Sequence, residues 1–349
     1  MHFGVFDHMD RAGDDLSQQY AERLELIRAY DRCGLRGYHM AEHHGTPLGL
    51  APSPSVFLAA AAQHSRTLRL GALVFTLPQY HPLRLAEEIC MLDHLTGGRL
   101  EFGIGRGISP IELGFWGLGS DEAAERFVEV RDIVRAALTC ERLTFHGAHY
   151  DFDDVPIVMR PLQAPHPPLW YGVSKPSSCA WAAANDTNAV MNGTVEQVSA
   201  IVAAYRAEWA KLGKPPEALP LLGVSRHVVI AERERDALEI AGAAYPQWRE
   251  NLFLLWKQRG VEAPHVGYPP SADEAIRQGY LLAGTASAVR DAILELVAAT
   301  QINYLLCRFA FGQMPLEASL RSVELLAQEV MPAFAATAAA SAGDATARA

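Results

Sequence analysis

Glu42, His43 and His44 stand in a row directly after a short run, Gly37–Ala41, that reads as a β-strand. A carboxylate beside two imidazoles suits general acid–base work, because histidine titrates near neutrality. Two other readings of the triplet stay open on residue type alone. With His39 nearby it could belong to a metal site, although no Asp or Cys completes a set and the helical HExxH pattern is absent. It could also be a hydrogen-bonded polar rim, although three adjacent ionisable side chains are costly to bury without purpose.

A second cluster, Gly103-Ile104-Gly105-Arg106-Gly107, ends another strand-like run, Arg99–Ile104. Glycines let a backbone approach a ligand closely, and the arginine between two of them offers a planar, permanently charged fork for a phosphate. Gly-Arg-Gly turns also occur with no ligand at all. Glu112 and Trp116 follow in the same loop and could line a pocket. A third cluster is Gly172-Val173-Ser174-Lys175-Pro176-Ser177-Ser178. Hydroxyls and free amides at a helix N-terminus make an anion site, and ordinary helix capping explains the same residues. Lys175 is notable because only Lys211, Lys214 and Lys257 join it in the whole chain. A fourth run, Leu73-Val74-Phe75-Thr76-Leu77-Pro78, continues to His81-Pro82 and reads as a buried strand leaving the core.

The elements that must position these clusters alternate between short β-like runs and longer amphipathic ones, which implies a parallel sheet with helical crossovers. The expected strands are His2–Phe6, Gly37–Ala41, Leu68–Phe75, Arg99–Ile104, Leu169–Val173, Thr187–Met191, Leu221–Ile230 and Ile302–Phe309. The expected helices are Leu16–Cys33, Pro54–Gln63, Leu83–Leu95, Asp121–Leu138, Ser177–Ala184, Val195–Leu212, Glu232–Leu255, Ser287–Thr300 and Leu316–Phe334. Eight strands with interleaved helices give an α/β fold, a (β/α)8 TIM barrel with insertions, and such barrels carry their sites at the carboxyl ends of strands. Insertions are expected after Gly107, at a hairpin over Leu143–Phe152, and around Gly260–Gly279, where Ala263–Ser271 reads as a loop near the barrel mouth. A doubly wound sheet is disfavoured because no GxGxxG follows the first strand. Residues 1–334 read as a single domain, and the Ala/Ser/Thr-rich stretch 335–349 as a disordered tail.

Composition narrows the class. Half of the 349 residues are hydrophobic, enough for a large core. Thirty basic against forty acidic residues leave a net charge of -10, which argues against a nucleic-acid or anionic-membrane partner. Five widely spaced cysteines without a CxxC argue against a disulfide framework or zinc ribbon and fit a reducing compartment. The first residues lack the pattern of a signal peptide and no run approaches 18 apolar residues, so the cytoplasm is expected.

Taken together, "AEHHG", "TLPQYHPLRLAEEICMLDHLTGGRLEFGIGRG" and "PHPPLWYGVSKPSSCAWAA" resemble the bacterial-luciferase-like flavin-dependent monooxygenases, from His2 to about Phe334. The resemblance implies a luciferase-like (β/α)8 barrel using reduced FMN and O2 to oxygenate a small organic substrate through a flavin C4a-peroxide. It makes His43 the catalytic proton-handling residue, with Glu42 and His44 shaping the pocket beside it. It implies a non-proline cis peptide at Leu73-Val74 beneath the isoalloxazine ring. It gives Arg106 and Ser178 to the flavin phosphate and Glu112 to the flavin's surroundings. Ser174 and Lys175 depart from the family pattern, an acid and a small hydroxyl residue, so the phosphate contacts would be rearranged there. Phe6, Phe75, Phe115 and Trp116 are candidates for apolar pocket walls, though each by itself reads more readily as core. Reduced flavin would come from a separate reductase, or NAD(P)H would act directly. A homodimer is implied through the helices after strands two and three, where Ala59–Ala62 would permit close approach. Two alternatives share the fold: a deazaflavin-dependent hydride-transfer oxidoreductase, and a non-catalytic flavin-binding subunit. An intact Glu42-His43-His44 and Arg106 argue against the second.

Overall fold

The structure, a computed structural model, describes residues 1–263 and 267–334. The expected tail, 335–349, lies outside the described residues. Among the described residues there are eleven strands: β1 His2–Asp7, β2 Gly37–Met40, β3 Arg69–Thr76, β4 Leu100–Gly105, β5 Arg142–His146, β6 Asp151–Pro156, β7 Leu169–Gly172, β8 Asn188–Met191, β9 Leu222–Ile230, β10 Leu281–Gly284 and β11 Tyr304–Arg308. The helices are α1 Leu16–Arg32, α2 Pro54–Ala62, α3 Pro82–Leu95, α4 Pro110–Phe115, α5 Ser120–Ala137, α6 Cys179–Ala184, α7 Val195–Lys211, α8 Glu234–Arg259, α9 Ala272–Arg277, α10 Ala286–Thr300 and α11 Leu316–Leu325. No described helix is long and apolar enough to cross a membrane.

Eight parallel strands close a ring in the order β1-β2-β3-β4-β7-β8-β9-β11, with β11 returning to β1. All eight are the strands read from the sequence, with ends shifted by one or two residues. The ninth member, β10, lies beside the second half of β9, pairing Leu281–Gly284 with His227–Ile230. The sequence reading missed it, although β2, β7 and β8 are equally short. The first half of β9 pairs with β8 on one side and β11 on the other. The hairpin forms as β5 and β6, antiparallel, with Phe145 opposite Phe152. Residues 264–266 of the expected mouth loop lie outside the described residues; Tyr268, just after them, reaches the barrel mouth.

Strand side chains alternate between the two faces of a sheet. The outward set packs against the helices as one large cluster that includes Val5, Leu70, Phe75, Phe102 and Leu305. The inward set, Phe6, Ala41, Leu73, Trp170, Val190, Tyr304 and Leu306, fills the barrel. Below it lies a buried carboxylate, Glu101. Its Oε1 accepts from Arg36 and Arg69, each at 2.7 Å, and its Oε2 accepts from Trp170 Nε1 at 2.7 Å. His39 Nε2 stands 3.2 Å from the Tyr304 hydroxyl and 3.4 Å from Glu101.

Burial opposes the ionised form of Glu101, but His39, Arg36 and Arg69 together outweigh it and hold its carboxyl below the usual range. His39 is itself pushed down to about 4, chiefly by burial, so near neutral pH the ion pairing is with the two arginines. Glu101→Gln should cost about 3–5 kcal/mol, because it leaves arginine charge half-buried without its partner. Urea unfolding measures this, and a loss below about 1 kcal/mol would deny Glu101 its structural role. Both groups titrate lower in the fold than in the open chain, so the unfolded state takes up protons first as pH falls. Their contribution is complete above the unfolded value and drains away below it, for His39 between 6.5 and about 4. His39→Gln, with no proton to accept, should show a shallower fall of Tm over that window. Parallel Tm–pH curves would refute this.

Candidate active site

At the carboxyl end of β2 the chain leaves the sheet and delivers Glu42, His43 and His44 to the barrel mouth. Glu42 is buried and engaged on both oxygens. Its Oε2 accepts from the Thr76 amide at 2.8 Å; its Oε1 accepts from the Tyr80 hydroxyl at 2.8 Å and meets His44 Nε2 at 2.9 Å. A carboxylate so held, with three of its roughly four lone-pair sites engaged, orients its neighbours. Glu112 does the same for His43. It sits on α4, whose N-terminus is capped by Ser109. Its carboxylate lies 3.2 and 3.3 Å from His43 Nδ1 and accepts from the His44 amide at 2.8 Å.

Burial would raise the Glu112 carboxyl, yet His43 and His44 overcome it and carry it below its ordinary value. An ionised acceptor at Nδ1 selects the tautomer protonated there, which makes Nε2 the basic nitrogen of His43. Nε2 has no hydrogen-bond partner in the described residues. The His43 ring faces His8 at 5.8 Å between centroids, and the His44 ring meets Trp116 edge-on at 4.4 Å.

The opposite wall is built from β3 and β4. The Leu73–Val74 peptide is cis, and the ladder between the two strands slips there, between Ala72 and Phe75. Gly103 and Gly105 make the approach possible. A Cβ on Gly103 would lie 2.1 Å from the Ala72 carbonyl oxygen, and one on Gly105 would lie 2.2 Å from Val74 Cγ2. Arg106 follows at the end of β4, exposed and with no ion pair among the described residues. The next strand in the ring, β7, ends beside it. After β7 come Ser174 and Lys175, both exposed, and the short turn Pro176–Ser178 that leads into α6, with Ser178 half-buried.

The structure therefore brings Glu42, His43, His44 and Glu112 into one hydrogen-bonded set, and leaves Arg106, Ser174, Lys175 and Ser178 as a second group on neighbouring strand ends. His39 belongs to neither, since it faces the floor; the metal reading loses the residue it leaned on. Of the proposed walls, Phe6 lines the inner face, while Phe115 and Trp116 are both exposed, Trp116 against His44 and Phe115 against Gly45. Phe75 points outward onto Phe102 and Tyr80: simple alternation would put it on the same face as Leu73, and the register slip between Ala72 and Phe75 turns it to the other. Sequence reasoning missed Tyr80 and Thr76 as anchors of Glu42. It also missed His8 and Arg308, both at ends of strands, where the same strand-end filter would have found them.

A model of the luciferase-like monooxygenase family matches residues 1–301. The chain belongs to that family. Membership makes it an enzyme of the monooxygenase class. A protein of Sinorhizobium fredii with no activity in its name is 41% identical over 94% of this chain and 96% of its own length. The oxygenase component of the flavin-dependent trigonelline monooxygenase of Acinetobacter baylyi is 29% identical, over 96% of each chain. The crystal structure of the monooxygenase RslO1 from Streptomyces bottropensis superposes with a TM-score of 0.87 at 27% identity, over 96% of this chain and all of that one. In this luciferase-like chain the β3–β4 contact has a direct test. Gly103→Ala should destabilise by about 1–3 kcal/mol, since the new methyl meets backbone. Gly114→Ala, where a Cβ meets nothing within 4 Å, should stay within about 0.5 kcal/mol. Equal unfolding midpoints for the two variants would remove the packing argument.

Proposed function

We propose that this protein oxygenates a small organic substrate with reduced FMN and dioxygen, its phosphate anchored at Arg106 and its ring set against Leu73–Val74, with His43 handling the proton. The observation that carries the reading is His43, held at Nδ1 by ionised Glu112, opposite the apolar wall of Leu73 and Val74 at the same barrel mouth. The donor set fits the cofactor. An exposed, unpaired guanidinium and three hydroxyl or ammonium side chains on adjacent strand ends suit a phosphate, and the inner wall at Leu73 and Val74, brought close to β4 by Gly103 and Gly105, suits a planar ring. When bound, reduced FMN supplies the two electrons that activate dioxygen.

The chain's own residues do the rest. Arg106 and Ser178 hold the phosphate, with Ser174 and Lys175 beside them. Glu112 keeps the Nδ1 proton of His43 in place, so that Nε2 can accept or return one proton at the reacting atoms. Glu42 fixes the His44 ring. Phe6, Ala41 and Leu73 exclude water from the inner face. The name of the Acinetobacter relative, an oxygenase component, supports delivery of reduced flavin by a separate reductase, with direct use of NAD(P)H as the competing arrangement. A homodimer through α2 and α3 is part of the proposal. Ala61 and Ala62 are buried against their own barrel, so the contact would fall on Ala60, Val56 and Met91, which are exposed.

Anaerobic titration with reduced FMN, FMN and a deazaflavin, followed by oxygen-uptake measurements, tests the reading. Tightest binding is expected for reduced FMN, with oxygen consumed. Preferred deazaflavin binding without oxygen uptake would replace it with hydride transfer. His43→Ala should bind reduced FMN nearly as the parent does, yet change the rate of its reoxidation by dioxygen about 100-fold or more. An unchanged rate removes His43 from the chemistry. Arg106→Ala should weaken flavin binding by about 10- to 100-fold, the equivalent of 1.5–3 kcal/mol for a charged hydrogen-bond partner; equal affinity would refute the phosphate role.

A further inference from the structure

Across the ring from Arg106 lies a second arginine with different surroundings. β4 and β11 are the fourth and eighth strands of the closed barrel and therefore face each other. Arg308, the last residue of β11, shares the inward face with Tyr304 and Leu306 by alternation. It is 2% exposed, and among the described residues no carboxylate lies within ion-pair distance of it. Its guanidinium rests on the rings of Phe6, Trp248 and Tyr268, 5.0, 5.5 and 5.6 Å from their centroids. Among the described residues the only hydrogen-bond partner of its guanidinium is the Tyr268 hydroxyl, 3.0 Å from both Nη1 and Nη2, while Nε has none.

Its neighbours on β9 repeat the pattern. His227 is the register partner of Arg308 and Ser225 that of Leu306. His227 is fully buried, and among the described residues neither ring nitrogen makes a hydrogen bond of ordinary geometry, although the Tyr280 backbone interacts with the ring; the Ser225 hydroxyl is unpaired there as well. Arg226, between them, points the other way and donates to the Ser225 and Gly193 carbonyls. Three polar groups left wholly or partly unsatisfied on one face of two adjacent strands are expensive, at a depth where nearly all polar atoms find partners. Rings can stabilise a guanidinium, but they leave its N–H fork unfilled. One hydroxyl oxygen shared by two Nη atoms also fills it poorly. A carboxylate offers two oxygens in the geometry of the fork.

We propose that Arg308, with His227 and Ser225, is an anion subsite that recognises a carboxylate on the organic substrate, whose apolar body lies against Phe6 and Trp248. The proposal rests on the monooxygenase reading above and names the substrate class. The path to the chemistry is short. Trp248 packs on His227 at 4.2 Å, donates to His8 at 3.3 Å, and His8 faces His43 at 5.8 Å. An acid held at Arg308 therefore extends its body toward His43, while the Arg106 end stays free for the cofactor phosphate.

Binding of acetate, benzoate and 3-phenylpropanoate, each against its neutral amide, tests this on the full chain by calorimetry without flavin. At least one carboxylate should bind tenfold or more tightly than its amide. Arg308→Met should abolish that preference and leave the dissociation constant for reduced FMN within about twofold. Arg308→Lys keeps the charge and loses the fork, so it should reduce the preference at least threefold even if the methionine variant does not fold. Absence of any carboxylate preference in the parent overturns the proposal, as does an undiminished preference in Arg308→Lys. A tenfold loss of flavin affinity in Arg308→Met would also overturn it and assign Arg308 to the cofactor. Failure of the monooxygenase reading would show separately, as no oxygen uptake with reduced FMN.

Discussion

A carboxylate buried at the bottom of a closed barrel is tolerable only if charge and hydrogen bonds surround it, and Glu101 is surrounded on every side. Arg36 and Arg69 neutralise one oxygen, and Trp170 donates to the other. His39 and Tyr304 close the space between them. These residues come from β2, β3, β4, β7 and β11 or their immediate ends, so one group ties together five of the eight strands. The positions of the strand ends above follow from that floor, and every residue of the mouth is carried on a strand end.

The mouth repeats the device with less burial and a different outcome. Glu42 and Glu112 each spend their oxygens on fixing something else: Glu42 the His44 ring and the β3 exit, Glu112 the His43 ring and the His44 amide. The two carboxylates act as scaffolding; among the described residues they leave His43 Nε2 and His44 Nδ1 without a partner, and the His44 ring packs against Trp116. Adjacent residues in sequence thus divide into two supports and one working group, because each imidazole is met by a different carboxylate from a different element.

Charge is also divided across the barrel. Arg106 at the end of β4 is exposed and unpaired, open to a ligand that arrives from solvent. Arg308 at the end of β11 is enclosed by aromatic rings and leaves part of its fork unfilled. Two cations on opposite sides of one mouth, with His43 between them in the ring order, suit two anionic groups belonging to two different molecules. The difference in solvent exposure supports giving the more hydrated anion, a phosphate, to Arg106.

Much of this was legible in the chain before folding was considered. The eight barrel strands announce themselves as apolar runs between amphipathic ones, and the strand-end rule singles out Glu42-His43-His44, Arg106 and the serines after β7. Resemblance of motif led to Glu112 and the Leu73–Val74 peptide. What the chain alone could not decide was partnership. His39 and His43 are four residues apart, yet one is sealed in the floor and the other faces Glu112, 69 residues away. Phe75 reads as a pocket wall until its face is known. Arg308 and His227 look like ordinary polar residues inside strand-like runs, and only the β9–β11 register makes them neighbours without a counter-charge. Periodicity and residue type are local properties, written in spacing along the backbone. Which carboxylate meets which imidazole, and which arginine is left unpaired, depends on contacts between distant segments that exist only once the barrel has closed.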